Sequence, residues 1–269
     1  MLMRKVLTFL SDFGSDSPYP AAMKAGAAGL TEARFIDINH QVRPQNVREG
    51  AFLLWSVAPY FPPGTVHCAV VDPGVGTGRA ALIITSGGQH LVGPDNGLLL
   101  PAAHRLGRPT VYQIAPRQAG LSPGQTFDGR DLFAPVAARL SAGAQPEQLA
   151  QLTGHWQELD FGQGSLSLAE GWLKGQVIYV DHFGNLVTNI SAELVGRLLS
   201  YGERLRWQIE PAGQEIRLAF QPSFGFVPPG EPLAYLGSAG TLELALREGN
   251  AAERFQVTAG AEIRLRQAR

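Results

Sequence analysis

Three apolar runs in the first hundred residues each lead into a polar turn that carries a carboxylate. Residues 6–10 (VLTFL) enter Ser-Asp-Phe-Gly and bring Asp12. Residues 66–71 (VHCAVV) enter Asp-Pro-Gly-Val-Gly and bring Asp72. Residues 89–93 enter Pro-Asp-Asn-Gly and bring Asp95 and Asn96. Runs of this length read as strands of an α/β sheet, where the loops at the carboxyl ends of the strands line one crevice and bind ligands. The chain is therefore expected to build one polar site from several separate loops.

The segments between these runs support that sheet. Helical patterns cover residues 21–30, 46–60, 96–106 and 131–142, and further strand patterns cover 33–38, 80–85 and 110–114. Asn46 is placed to cap the second helix, with Glu49 at its third position as in a capping box. Strands alternating with helices predict a mostly parallel sheet covered on both faces. Residues 154–171, rich in Gly, Gln and Ser, read as a linker. After it, short alternating runs follow one another: LKGQVIYV, LVTNI, RLRWQI, EIRLAF, PLAYLG, TLELAL, RFQVT and AEIRLR. Turn signals at about ten-residue spacing predict a small barrel or sandwich there, with a helical pattern only at residues 192–200. The expected organisation is an α/β N-terminal domain with a mostly parallel sheet over residues 1–160. A smaller all-β, barrel-like C-terminal domain follows over residues 171–269.

Composition excludes several classes. The formal net charge is -1, so no broad basic field draws in nucleic acid. No apolar run approaches the roughly 20 residues that span a bilayer, and residues 1–4 lead directly into a strand without a signal-peptide core. No membrane partner is expected, and a cytoplasmic protein is. The single cysteine, Cys68, lies mid-strand and reads as a buried thiol. No His and Cys cluster has metal-ligand spacing, so no metal is expected.

Four turns carry chemistry-bearing residues, and each also has a plain structural reading. Asp72-Pro-Gly-Val-Gly-Thr-Gly-Arg79 lacks the Gly-Lys-Ser/Thr ending of a phosphate loop. It is either a tight strand-to-strand turn or a turn that returns Arg79 to Asp72, where the pair can fix a water. In Thr126-Phe-Asp-Gly-Arg-Asp131, Asp128 is either a helix cap or part of a polar site. Pro94-Asp-Asn-Gly97 is equally a turn, a cap or a site. Asp181-His-Phe-Gly-Asn185 is either a hairpin turn or a set of acid, ring and amide suited to a nucleoside-amino acid ligand. The histidines read as structural, with His40 the least secure because it follows a strand and could face the crevice.

Together these motifs resemble the S-adenosyl-L-methionine hydroxide adenosyltransferases, relatives of the fluorinase and chlorinase. The resemblance runs through SDFG, DINHQVRPQNVREGAFLL, FPPGTVHCAVVDPGVGTGR, VGPDNGLL, TFDGRDLFAPVAARL, VIYVDHFGNLVTNI and GSAGTLELAL, nearly the whole chain. It implies an N-terminal α/β domain, a C-terminal β-barrel and a homotrimer, with the ligand between one subunit's first domain and its neighbour's second. It also implies roles. Asp12 holds the ribose hydroxyls, Asp181 meets the methionine amine, Phe183 packs on the ligand, Asn185 contacts adenine and Ser238 contacts the amino-acid end. Asp72, Arg79 and Asp128 form the catalytic group.

The implied reaction is hydrolysis of S-adenosyl-L-methionine to adenosine and L-methionine by attack of water at the ribose C5′, with no cofactor beyond that substrate. The halogenases carry a tyrosine at the position of Asp72, a tryptophan at that of Gln45 and an extra loop in the first domain. Those differences, and the repulsion of halide by an anionic Asp72, argue against halide chemistry. One departure is internal to the hydrolases. Their usual TFHGRD reads TFDGRD here, so Asp128 stands where a histidine is expected. The alternative expectation follows from that change: a non-catalytic or very slow binder of adenosine or S-adenosylmethionine.

Overall fold

The computed structural model describes residues 5–117, 119–121, 126–210 and 213–268. The expectation for residues 1–4 lies outside the described residues. The chain divides into two compact units, Met1–Asp160 and Phe161–Arg269.

In the first unit the order is β1 (Val6–Ser11), α1 (Tyr19–Ala28), β2 (Arg34–Asn39), α2 (Val47–Val57), β3 (Val66–Val70), β4 (Ala81–Ser86), β5 (Gln89–Pro94), α3 (Leu100–Leu106), β6 (Thr110–Ile114), α4 (Ala134–Ala142) and β7 (Ala150–Leu152). The sheet order is β2-β1-β3-β5-β4-β6-β7. β2, β1, β3 and β5 are mutually parallel, whereas β4 and β7 run against their neighbours. The turns after β1, β3 and β5 therefore emerge side by side at one edge of the sheet.

Alternation along β1 divides its side chains between two layers. Leu7 and Phe9 pack with Met23 and Ala27 of α1 and Phe133, Val136 and Leu140 around α4. On the other face α2 approaches so closely that a Cβ on Gly50 would lie 2.9 Å from Val71 and 3.5 Å from Leu10. The Asn46 side chain caps α2 by accepting from the Glu49 N–H at 3.1 Å, the cap that the sequence signals. A short 3₁₀ turn, Ala58–Tyr60, completes the segment read as one helix.

The second unit contains β8 (Ser165–Ser167), β9 (Trp172–Val180), β10 (Leu186–Ser191), α5 (Ala192–Gly196), β11 (Arg204–Glu210), β12 (Gln214–Phe220), β13 (Pro232–Leu236), β14 (Thr241–Leu246), α6 (Ala251–Phe255) and β15 (Glu262–Gln267). The sheet order β10-β14-β13-β12-β11-β15-β9 closes on itself through the β9–β10 pairing, giving a seven-strand barrel with β8 alongside β9. Its core holds the fully buried Trp207 among Leu173, Ile190, Leu205, Leu242 and Leu265.

Three local expectations are corrected. RFQVT forms no strand, because the Asn250 side chain accepts from the Glu253 N–H at 2.9 Å and starts α6 instead. The second unit thus has a helix beyond the one expected at residues 192–200. The segment read as a linker contains β8, which pairs with β9. The helix expected from residue 96 begins at Leu100, since the Asn96 side chain turns back to accept from the Leu98 N–H at 3.2 Å. Among the described residues no helix is long and apolar enough to cross a membrane, and no group of His, Cys, Asp and Glu has the arrangement of a metal site.

Candidate active site

The turn after β3 folds back as one of its two sequence readings requires. Asp72 Oδ1 accepts from the Gly74 N–H at 3.2 Å, and Arg79 returns so that its Nε lies 3.1 Å from Oδ1 and 2.9 Å from Oδ2 of Asp72. Arg79 Nη2 donates to Asp72 Oδ2 at 2.5 Å and to Asp128 Oδ2 at 2.6 Å. One guanidinium thus joins two carboxylates 56 residues apart in sequence (128 − 72). The side chains of Asp72, Arg79 and Asp128 are only 5%, 11% and 11% exposed. Burial alone would lower the Arg79 pKa, but the two carboxylates outweigh it and hold the guanidinium above its ordinary value. The ring of Phe133 lies 5.0 Å beneath the guanidinium, a further cation contact.

Asp128 does not cap the following helix, for its side chain makes no cap hydrogen bond to the π-helical turn Gly129–Phe133. Arg130, the other candidate to neutralise it, pairs with Asp131 at 2.6 Å. A cavity of about 410 Å³ opens beside the cluster and is lined by Thr77, Arg79, Gln113, Pro116, Asp128 and Leu132.

The turn after β1 lies beside these residues. Asp12 Oδ2 accepts from the Gln45 N–H at 2.8 Å, and Gln45 has φ +64°, a left-handed backbone uncommon for a residue other than glycine. Phe13 packs edge-on against Phe127 at 5.5 Å, which ties the Asp12 turn to the residue before Asp128. In the turn after β5 the two polar residues act as braces. Asp95 Oδ1 accepts from the Gln157 N–H at 2.7 Å, and Asn96 Nδ2 donates at 2.8 Å to the carbonyl of Val71, the residue before Asp72.

The second unit holds its own polar turn. Asp181 Oδ1 accepts from the N–H groups of Phe183 at 2.9 Å and Asn185 at 2.8 Å, while Oδ2 accepts from Asn185 Nδ2 at 2.8 Å. Phe183 is 72% exposed and Asn185 is buried. Gly184 sits at φ +83° against Asn250, where a Cβ would overlap the amide, so α6 braces this turn from behind. Ser238 is exposed in the Gly237–Gly240 turn, closed by the Gly237 N–H to the Thr241 carbonyl at 2.9 Å.

Sequence reasoning missed Tyr235 and Glu243, which face each other across β13 and β14 and join through the tyrosine hydroxyl. Burial raises the Glu243 pKa, the Tyr235 hydrogen bond opposes that shift, and the charge of Asp181 adds to it. A Cβ on Gly237 would collide with the Glu243 carboxylate, so the turn that carries Ser238 needs glycine at that point. A signal was present in TLELAL, where one acid interrupts an otherwise apolar strand.

Both units match family models of the same name. Residues 7–150 match the SAM hydroxide adenosyltransferase N-terminal domain and residues 175–264 match its C-terminal domain. This chain belongs to the SAM hydroxide adenosyltransferase family. Within that family it is similar to the (R)-S-adenosyl-L-methionine hydrolase of Thermus thermophilus, with 39% identity over 266 residues that cover 96% of this chain and 98% of the relative. It is 38% identical over 276 residues to the protein of that name from Salinispora tropica, covering 96% of this chain and 97% of the relative. Similarity to the fluorinase of Actinopolyspora mzabensis is lower, at 25% over 293 residues and 97% of each chain. Among solved structures, an uncharacterized conserved protein from Thermotoga maritima superposes with a TM-score of 0.90 at 35% identity, covering 96% of this chain and 99% of that one.

Proposed function

We propose that this SAM hydroxide adenosyltransferase family member hydrolyses S-adenosyl-L-methionine to adenosine and L-methionine. The observation that carries the reading is the sharing of Arg79 by Asp72 and Asp128 in one buried cluster. The sulfonium is its own leaving group. Water oxygen forms a bond to C5′ as the C5′–S bond breaks, its electron pair stays on sulfur, and neutral methionine departs. Free water has a pKa near 15.7, so holding one molecule in line and taking its proton as the bond forms is the effective contribution, and orientation supplies several kcal/mol. Asp72 has both oxygens engaged by Arg79 and Gly74, which suits it to orienting. Asp128 receives one contact from Arg79 and lines the cavity, which suits it to accepting the proton and passing it to solvent. Two carboxylates around one guanidinium leave a formal charge of -1, which repels halide and tolerates water.

Asp12 takes the ribose hydroxyls, Asp181 the methionine ammonium, Phe183 one face of the ligand, Asn185 adenine and Ser238 the amino-acid end. The relatives' names specify the R configuration at sulfur, and that epimer is the proposed substrate here. The protein is proposed to act as a homotrimer in the cytoplasm without a further cofactor, with mass in solution measured by light scattering. Purified protein incubated separately with each sulfur epimer should form adenosine from the R epimer and far less from the other, and Asp72→Ala should abolish it. Tight adenosine binding with no turnover would favour a binding protein instead, the reading that the missing histidine supports.

A further inference from the structure

His40 lies at the end of β2 and is buried, yet the reaction described above gives it no task. Its Nδ1 is 2.7 Å from Ser11 Oγ, and its carbonyl accepts from the Gly14 N–H at 2.7 Å. These two contacts clamp both ends of the four-residue turn that carries Asp12. The register of β2 against β1 shifts after the Phe9–Asp37 pair, so that Leu10 pairs with Asn39. That irregularity lets Asp37 and His40, three residues apart, meet. His40 Nε2 lies 3.2 Å from Asp37 Oδ1, close enough for attraction but outside the alignment of a good hydrogen bond. Asp37 Oδ2 accepts from Lys24 Nζ at 2.8 Å.

The carboxylate beside Nε2 favours the tautomer with its proton there, which leaves Nδ1 to accept. The Ser11 hydroxyl then donates to His40 and keeps a lone pair for the Phe13 N–H, 3.4 Å away. Donation runs from the Phe13 N–H through Ser11 and His40 towards Asp37, and Lys24 donates to the same carboxylate from its other side. The Gln45 N–H donates to the Asp12 carboxylate itself. Ser11 is fully buried, so the Ser-His-Asp sequence of contacts is a brace and not a nucleophile with its base.

We propose that His40 is a positioning residue for Asp12, fixing the turn so that the carboxylate can grip both hydroxyls of a ribose. This rests on the reading that Asp12 binds the ribose diol. Adenosine and 2′,3′-dideoxyadenosine binding to the purified protein, measured by calorimetry, tests it. The intact protein should prefer adenosine by about 30-fold, the value of charge-assisted hydrogen bonds to a carboxylate. His40→Ala should cut that preference to about threefold while leaving affinity for the dideoxy compound within about twofold. His40→Asn restores an acceptor near the Nδ1 position and should recover most of the preference, which simple loss of packing would not allow. Ser11→Ala should mimic His40→Ala, and the double substitution should add little. Retained preference in a folded Ser11→Ala or His40→Ala protein overturns the proposal alone. No preference in the unsubstituted protein overturns the ribose reading of Asp12, and the proposal with it.

Discussion

The two units satisfy the carboxylates of their polar turns and strands in opposite ways. In the first, Asp72 and Asp128 share a cation supplied by the chain itself, Arg79. In the second, Asp181 and Glu243 have no ion-pair partner among the described residues and are satisfied by N–H groups and a tyrosine hydroxyl. Charge that is already compensated can orient a neutral molecule such as water without binding a cation strongly. Charge left without a cation is suited to receive one. The division matches the proposed reaction, with a neutral water attacking at C5′ and an ammonium on the methionine end of the substrate.

The largest effect that sharpens this contrast comes from Arg79. Arg79→Met leaves two buried carboxylates facing each other without their cation. It should lower stability by about 3–5 kcal/mol, read by denaturant unfolding, and reduce adenosine formation by at least about 10³-fold. If turnover survives, the shared guanidinium is not the orienting element.

A smaller effect belongs to the second unit. Asp181→Asn should raise KM by about 30-fold, as expected for losing a charge-assisted contact of about 2 kcal/mol, with kcat changed far less. Equal losses in kcat would contradict the assignment of that carboxylate to binding.

The smallest effect is one of pH, and it has opposite signs in the two units. His67 bridges Thr8 and Gln89 with 2.7 Å contacts on each ring nitrogen. Burial pulls its pKa from 6.5 to about 4, with the Gln89 hydrogen bond opposing. A depressed histidine favours the folded state only while neutral. Its contribution is therefore lost as pH falls from 6.5 towards about 4. Glu243 is raised by burial, so its contribution is present below pH 4.5 and is lost as pH rises through its folded value. Hydrogen exchange on the whole chain should show protection of β1, β3 and β5 falling on acidification while that of β13 and β14 holds or increases. A parallel loss in both units would refute the contrast.

Much of the architecture was legible because hydrophobic period and turn chemistry agreed along the chain. The β1, β3 and β5 turns emerge together as their apolar runs and terminal acids imply, and Asn46 and Glu49 announced α2. RFQVT does not form the expected strand because alternation over five residues cannot compete with the Asn250 cap immediately before its helix. The Arg79–Asp72 pairing followed from the turn between them. Its partner Asp128 needed the resemblance, since no local pattern links residues 49 positions apart. Asp95 and Asn96, open in sequence between turn, cap and site, brace neighbouring backbone. Tyr235 and Glu243 escaped notice because cross-strand neighbours are set by register, which a single strand's sequence does not state.

The central claim is that water attacks C5′ at the Asp72–Arg79–Asp128 cluster. Turnover of S-adenosyl-L-methionine in ¹⁸O-labelled water, followed by mass spectrometry of the products, tests it most directly. The label should appear in the 5′-hydroxyl of adenosine and nowhere in methionine, and the Asp72→Ala protein should yield no labelled adenosine. Unlabelled adenosine, or labelled adenosine undiminished by Asp72→Ala, would contradict it.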